Sequence, residues 1–488
     1  MIEALRENLN SSTNRSSFVQ KKTRVYEYFA AFLEEQGRVA EALYYTERAR
    51  SRGLVDLLFT TQQALEVDTG RVTDQVIEAE RRVRALAQEI EVGTDDEAGA
   101  AYSATRASQL RQEYRRADSL YQQLRINLSS DQSIYTFSPL RPDAMQATLL
   151  EDEVMVVYDL RSVDFGTGPE DVSVVYVMLS DTIIVQPLDV KSRTLTETIR
   201  FFRDQLRSVG EGPAQPWQAA ARRLYRDLMT PVVAVLPPST KHLHLVPEGL
   251  LHYLPFAALQ DADGQYLIEQ YTLSVTPSAS ILKLSRDRNP RRWQSMLLVG
   301  DPDGRLPGSR NEVEVVAAAG TAGQRRARIG SEATQANLER EAGTYDILHF
   351  ATHGRFFPRA PWKSHLELHG EDVLSVEEIG LLSLNAYLVT LSACETALGG
   401  GLTADVPDGD EWVGLNQAFL AAGTPTVMAS LWPIDDLVSG DFMINFYTTL
   451  GPEGKAHALA EVQRQFLQNP RTNHPFYWAS FSIIGDPL

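Results

Sequence analysis

Two textures of apolar and polar positions divide the chain. Through residues 1–130 apolar side chains recur at helical spacing among Arg, Glu, Gln and Ala, with no proline, the pattern of amphipathic helices. The clearest stretch is RVYEYFAAFLEEQGRVAEALYYTERAR. There Tyr26, Phe29, Phe32 and Leu33 form one stripe, and Ala40, Leu43 and Tyr44 a second. Gly37 lies between them, where a helix end favours a residue that tolerates positive φ. The spacing predicts a helix–turn–helix of tetratricopeptide-repeat (TPR) length. Residues near 70–92 and 101–127 continue less regularly, joined by EVGTDDEAG at 91–99. Periodicity alone fits a short TPR-like array and a plain helical bundle equally well.

After residue 130 the texture changes. DQSIYTFSPLRPD holds two prolines, and 131–149 reads as a linker. Short runs of Val, Ile and Leu then alternate with helical stretches. Strands are expected at 153–160, 172–180, 182–188, 242–247, 295–302, 345–354, 386–394 and 425–434. Helices are expected near 193–209, 216–230, 310–319, 333–342, 411–422, 437–450 and 455–468. Near-continuous apolar strands separated by helices predict an α/β domain, its mainly parallel sheet covered by helices on both faces.

At 488 residues the chain can hold two to four domains. Its net charge of −18 disfavours broad nucleic-acid binding, which needs a basic face. Arg81, Arg82 and Arg84, and later Arg325, Arg326 and Arg328, are short clusters of the kind that form solvated faces. One cysteine, Cys394, cannot form an intrachain disulfide, and a reducing, cytoplasmic setting is expected. No run reaches the ~18 apolar residues of a spanning helix, and MIEALRENLN lacks the basic and apolar regions of a secretory signal, so none is expected there.

Two expected strand ends carry chemistry. His353-Gly354 closes YDILHFATHG and Cys394 closes AYLVTLSAC. In open α/β sheets, sites form beyond the carboxyl ends of strands. The two residues are 41 apart, room for one crossover between adjacent parallel strands. A thiol with pKa ~8.5 is mostly protonated at neutral pH. A nearby imidazole raises the thiolate fraction and then protonates a leaving amine. Oriented backbone N–H groups, those of Gly354 and Cys394, can hold the oxyanion. His349 and His353 share the spacing of a helical zinc pair, but Phe350 stands where that motif needs a glutamate, and the flanking YDIL reads as strand. His349 reads as a buried strand residue, and His242 and His244 as core or sheet-surface residues. GDPDG at 300–304 lacks the lysine and hydroxyl of a phosphate-binding loop.

Residues 150–488 resemble a CHAT domain, a caspase-like cysteine protease domain often found behind TPR repeats. The matching segments are HLVPEGLLHYLPFAAL, VTPSASIL, LLVGDPDG, LHFATHG, LVTLSACETALGG, VGLNQAFLAAGTPTVMASLWPIDD and FYWASFSIIGDP, in family order. The resemblance implies His353 as general base, Cys394 as nucleophile, and Gly354 in the oxyanion hole. It further implies a degenerate caspase-like half at 150–290 and an active half at 291–488. By similarity to separases, Asp436, with Asp435 beside it, lies in an S1 pocket for a basic P1 residue. The alternative for either acid is to cap the helix expected from Leu437. The loop GGGLTADVPDGDEW at 399–412 reads as mobile. The expected function is an intracellular endopeptidase acting on protein substrates. It needs no metal or organic cofactor, and a protein activator on the helical region releases it, as in bacterial defence systems of this architecture. The alternative is a non-catalytic interaction scaffold.

Overall fold

Most strands that read as apolar runs are buried along nearly their whole length, and they form the centre of one large sheet. The computed structural model describes residues 23–50, 140–164, 169–208, 215–290, 292–319, 323–355, 364–382, 384–392, 412–432 and 436–488, with isolated positions between 82 and 116. Cys394, Asp435, Arg81, Arg84, the 91–99 connector and the loop after Cys394 lie outside the described residues. Residues 25–57 and 138–488 form one compact unit, and 1–24 with 58–137 another. Among the described residues no helix is long and apolar enough to cross a membrane. No group of three or more His, Cys, Asp or Glu among them is placed to hold a metal.

The strands are β1 Glu153–Asp159, β2 Ser162–Asp164, β3 Pro169–Asp171, β4 Val174–Met178, β5 Ile183–Pro187, β6 His242–Val246, β7 Thr272–Val275, β8 Ser295–Gly300, β9 Gln324–Ile329, β10 Ile347–Ala351, β11 Gly354–Arg355, β12 His365–Glu367, β13 Val373–Ser375, β14 Leu388–Leu391, β15 Thr426–Ser430 and β16 Phe481–Gly485. Helices of seven residues or more are α1 Thr23–Glu35, α2 Val39–Arg50, α3 Ser192–Arg207, α4 Pro216–Leu224, α5 Ala279–Arg288, α6 Pro307–Ala318, α7 Gln335–Glu341, α8 Trp412–Ala421, α9 Asp436–Thr449 and α10 Lys455–Gln468.

The large sheet has the order β5-β4-β1-β6-β7-β16-β15-β14-β10-β8-β9. Its pairings are parallel except β1–β4, β4–β5 and β15–β16. Because β16 is antiparallel to β15 and parallel to β7, β1, β6 and β7 run opposite to β15, β14, β10 and β8. The sheet is therefore two mainly parallel halves joined head to tail through β16. Helices cover both faces. His349 and Phe350 are neighbours on β10 and so point to opposite faces. His349 meets Tyr447 of α9, whereas Phe350 packs on Phe419 of α8, with ring centroids 5.7 Å apart.

The sequence reading missed some elements. β7 and β16 are too short to show a period. The cluster at Arg325 to Arg328 reads as a solvated face but forms the edge strand β9. Arg328 is buried there, 2.5 Å from Glu341 and 2.7 Å from Glu332. Charge on an edge strand blocks pairing with another chain.

The α1–α2 hairpin turns at Gly37, whose φ of 70° suits a residue without Cβ. Its buried stripe is Ala30, Leu33, Ala42 and Leu43, packed with Met155, Tyr176 and Met178 of the sheet. Phe29 and Phe32 instead remain 40% and 49% exposed. An ion network seals this contact. Arg161 lies 2.6 Å from Glu34 and 2.8 Å from Asp159, and the Thr46 hydroxyl donates to Asp159 over 2.8 Å. Glu47, fully buried, accepts the Ala279 N–H at the start of α5.

At the opposite edge from the carboxyl ends of β10 and β14, Lys455 is fully buried, its Nζ 3.9 Å over the Tyr387 ring. Desolvation lowers its pKa to about 7, opposed by Asp486. Between pH 7 and 10 the unfolded chain therefore binds more protons at this site than the folded one. Lys455 then makes stability rise with pH across that window. Lys455→Met is expected to raise stability at pH 7 by a few kcal/mol and to flatten that rise. Chemical denaturation of both proteins at pH 7 and 9.5 checks it, and parallel pH responses overturn it.

Candidate active site

β10 and β14 are adjacent and parallel, with Ile347 opposite Leu388 and Phe350 opposite Leu391. The ladder continues one step further, as the Ser392 N–H donates to the Phe350 carbonyl over 2.9 Å. His353 follows Phe350 by three residues, and Cys394 follows Leu391 by three. The two positions thus lie the same number of residues past a paired register on neighbouring strands ~4.8 Å apart. Cys394 itself lies outside the described residues.

Near His353 the backbone is held by a small sheet of order β11-β12-β13. The Glu367 N–H donates to the His353 carbonyl over 2.7 Å. The Thr352 hydroxyl donates to the Glu367 carbonyl, also over 2.7 Å, and Arg355 pairs with the Glu367 carboxylate. Gly354 stands opposite Leu366, and Arg355 opposite His365. Antiparallel pairs alternate between bonded and non-bonded. The bond from Glu367 to His353 therefore makes Gly354 a non-bonded pair. Its N–H is not used by β12, and β11 is the edge strand of this sheet. Gly354 is buried and His353 half-buried.

β15 is the next strand along, and its exit is clamped. The Leu431 N–H donates to the Ser480 carbonyl over 2.8 Å. Trp432, buried, donates its indole N–H to the Phe476 carbonyl over 3.0 Å. Arg203 of α3, buried, reaches from the other half of the sheet to the carbonyls of Tyr253 and Leu431. Burial lowers the Arg203 pKa to about 10, against the nearby Tyr253. α9 begins four residues beyond Trp432, at Asp436.

The remaining histidines named from sequence are structural in placement. His242 bonds Thr272 and Ser274, and His244 bonds Ser274 and faces Glu153 at 3.3 Å. His349 is fully buried, as a strand residue should be, but it is also the centre of a polar cluster. Its Nδ1 lies 2.9 Å from the Tyr447 hydroxyl, which donates to Thr390 over 2.9 Å. Its Nε2 lies 3.0 Å from Glu312 of α6. Glu312, Tyr447 and Arg203 escape sequence reading. The one available signal is Glu312, a carboxylate at an inward position of α6 beside Val313 and Val316.

The chain is similar in sequence or structure to several known proteins. A tetratricopeptide repeat protein 28 of Mus musculus is 27% identical over a stretch covering 55% of this chain and 13% of its own length. The Homo sapiens protein of the same name is 26% identical, again over 55% of this chain and 13% of its own. The chain thus spans a small part of these relatives. Among solved structures, the Saccharomyces cerevisiae separase–securin complex aligns with a TM-score of 0.47 and 13% identity, covering 95% of this chain and 38% of that one. The Arg-specific cysteine proteinase gingipain R of Porphyromonas gingivalis aligns with a TM-score of 0.36 and 11% identity, over 61% of this chain and 76% of that one. The CHAT domain model matches residues 218–486, more than half of the chain, and the chain belongs to the CHAT domain family.

Proposed function

We propose that this chain is a cysteine endopeptidase with a Cys394–His353 dyad. The observation that carries the reading is the register of β10 and β14, which sets the two residues equally far past paired positions on adjacent parallel strands. His353 takes the Cys394 proton, and the thiolate attacks the scissile carbonyl. The tetrahedral oxyanion is held by the N–H groups of Gly354 and Cys394. That role is supported by the Gly354 N–H lying outside the β12 ladder. The intermediate collapses to a thioester as the imidazolium gives its proton to the leaving amine. Water, deprotonated by His353, then releases the acyl product. In this reading 150–290 is the degenerate half and 291–488 the active one, and 131–149 links them to the helical region 1–130.

Specificity falls to Asp436, with Asp435 beside it, at the clamped exit of β15. A desolvated carboxylate there pairs with a P1 guanidinium or ammonium. Asp435 alternatively caps α9, which begins one residue later. Regulation falls to a protein partner on the helical region. Release of a latent enzyme in the cytoplasm, as part of a bacterial defence system, is the finest part of the reading and rests on family resemblance.

An acyloxymethyl ketone with P1 arginine tests the assignment. Its covalent adduct on Cys394, read by intact mass, is expected to require His353. Asp436→Asn is expected to slow labelling by ~30-fold or more, since losing one partner of a desolvated charge pair costs ~2 kcal/mol or more. The same variant should leave a P1-leucine probe unaffected. Preferential labelling by a P1-aspartate probe overturns the basic preference. The rival scaffold reading predicts a slow, unreactive thiol with every probe.

A further inference from the structure

One buried polar cluster lies beneath the candidate site and touches every element that carries it. Glu312 of α6 is fully buried, and its Oε1 sits 3.0 Å from His349 Nε2, a close electrostatic contact more than an aligned hydrogen bond. Its Oε2 accepts from the Ser439 hydroxyl over 2.5 Å. Ser439 lies 3.4 Å from the Ser392 hydroxyl. On the far side of His349, the Tyr447 hydroxyl bridges Nδ1 and Thr390. His349 is four residues before His353, Ser392 two before Cys394, and Ser439 three after Asp436. The cluster therefore ties together β10, β14 and α9, the three elements whose ends bear the proposed base, nucleophile and S1 acid. Burial alone would raise the Glu312 carboxyl, but His349 and the two serine hydroxyls outweigh it and hold it below the usual carboxylate range. Because Tyr447 donates to Thr390, its oxygen is left to accept from Nδ1–H. Nε2 then faces the Glu312 carboxylate. Arg325 of β9 is the other charge that Tyr447 senses.

We propose that Glu312, acting through His349, Tyr447 and the two serines, is a positioning residue that holds the ends of β10 and β14 in the mutual register the Cys394–His353 pair needs. Sheet hydrogen bonds fix where two strands pair, and the described rungs between β10 and β14 end at Phe350–Leu391 and the Ser392 N–H. A buried carboxylate against an imidazole, with matched hydroxyls below the last rungs, limits how far the two ends shear past each other. A shift of ~1 Å at such a site costs up to ~100-fold in rate. An apolar cluster of the same volume would fill the space without directional restraint.

This inference rests on the dyad reading, so its test separates the two. Cys394 is the only cysteine, and its alkylation by iodoacetamide, read by intact mass across pH 5–9, reports the thiolate without any substrate. Wild type, His353→Ala, Glu312→Gln and Tyr447→Phe are compared, each with a thermal melt. The expected result is that Glu312→Gln lowers the rate at pH 7 by roughly tenfold, inside the range that misplacement costs. Its pH midpoint should move towards that of His353→Ala. Tyr447→Phe, which removes one oxygen and keeps the ring, should move it part of the way. A loss of stability alone would leave the midpoint in place. Wild-type midpoints in both Glu312→Gln and Tyr447→Phe, with a shifted His353→Ala, overturn the positioning role and keep the dyad. An unshifted His353→Ala overturns the dyad and this role with it.

Discussion

Replacing Cys394 by alanine is expected to abolish Cys394-dependent cleavage, and replacing His353 by alanine to lower kcat/KM by about 10³-fold or more. In the proposed mechanism the two effects follow from separate steps of one path. Without Cys394 there is no nucleophile and no acyl-enzyme. Without His353 the thiol keeps its proton near neutral pH, and the leaving amine departs unprotonated. Residues that act as a unit are strongly non-additive, so the double variant should be no slower than Cys394→Ala alone. Hydrolysis of a peptide with a basic P1 residue, followed for the three variants and the wild type, checks this. Additive losses, or a fully active His353→Ala, contradict a shared mechanism.

The second large effect concerns the α1–α2 hairpin. Arg161 is 3% exposed and is the cation between the Glu34 and Asp159 carboxylates. Arg161→Ala leaves the buried Asp159 and the partly buried Glu34 without their cation and is expected to cost about 3–5 kcal/mol, the usual price of leaving a buried charge unpaired. The sign of its pH dependence is fixed by linkage. Burial already raises the Glu34 pKa, against Arg161, which lowers it. Removing the guanidinium pushes the Glu34 carboxyl further up, so the variant loses stability as pH rises through its folded value and recovers it below. The deficit at pH 7 should therefore shrink by pH 5. Urea denaturation at both pH values reads it out. A deficit below about 1 kcal/mol, typical of surface pairs, would show that the network does not hold the hairpin.

Legibility from sequence followed burial. Strands buried on both faces, such as EVMVVYD in β1 and VVYVM in β4, declare themselves because most of their positions are apolar. QRRARI in β9 does not, since this edge strand carries arginines on both faces and buries Arg328 only through its pairing with Glu341 and Glu332. FSIIG in β16 is a strand only because β15 and β7 flank it. In α1 the helix was legible but its inward stripe was not. Ala30 and Leu33 face the sheet, while Phe29 stacks edge-on with Tyr45 at 4.7 Å and stays half-exposed. Helical spacing gives a face, and the partner decides which part of it is buried. The candidate dyad was legible as two strand ends, because a thiol and an imidazole after apolar runs are chemically conspicuous. Their common register came only with the pairing of Phe350 and Leu391. Glu312 and Tyr447 stayed hidden, as 37 and 57 residues separate them from the strand positions His349 and Thr390, and the one local mark is the place of Glu312 beside Val313 and Val316.

The central claim is a peptide-bond cleavage that depends on Cys394. It is tested most directly by mass spectrometry of new protein N-termini in cells expressing either the wild-type chain or Cys394→Ala. The account predicts termini present only with the wild-type chain, with arginine or lysine enriched immediately before the cleaved bond. Identical sets of termini from the two chains contradict it.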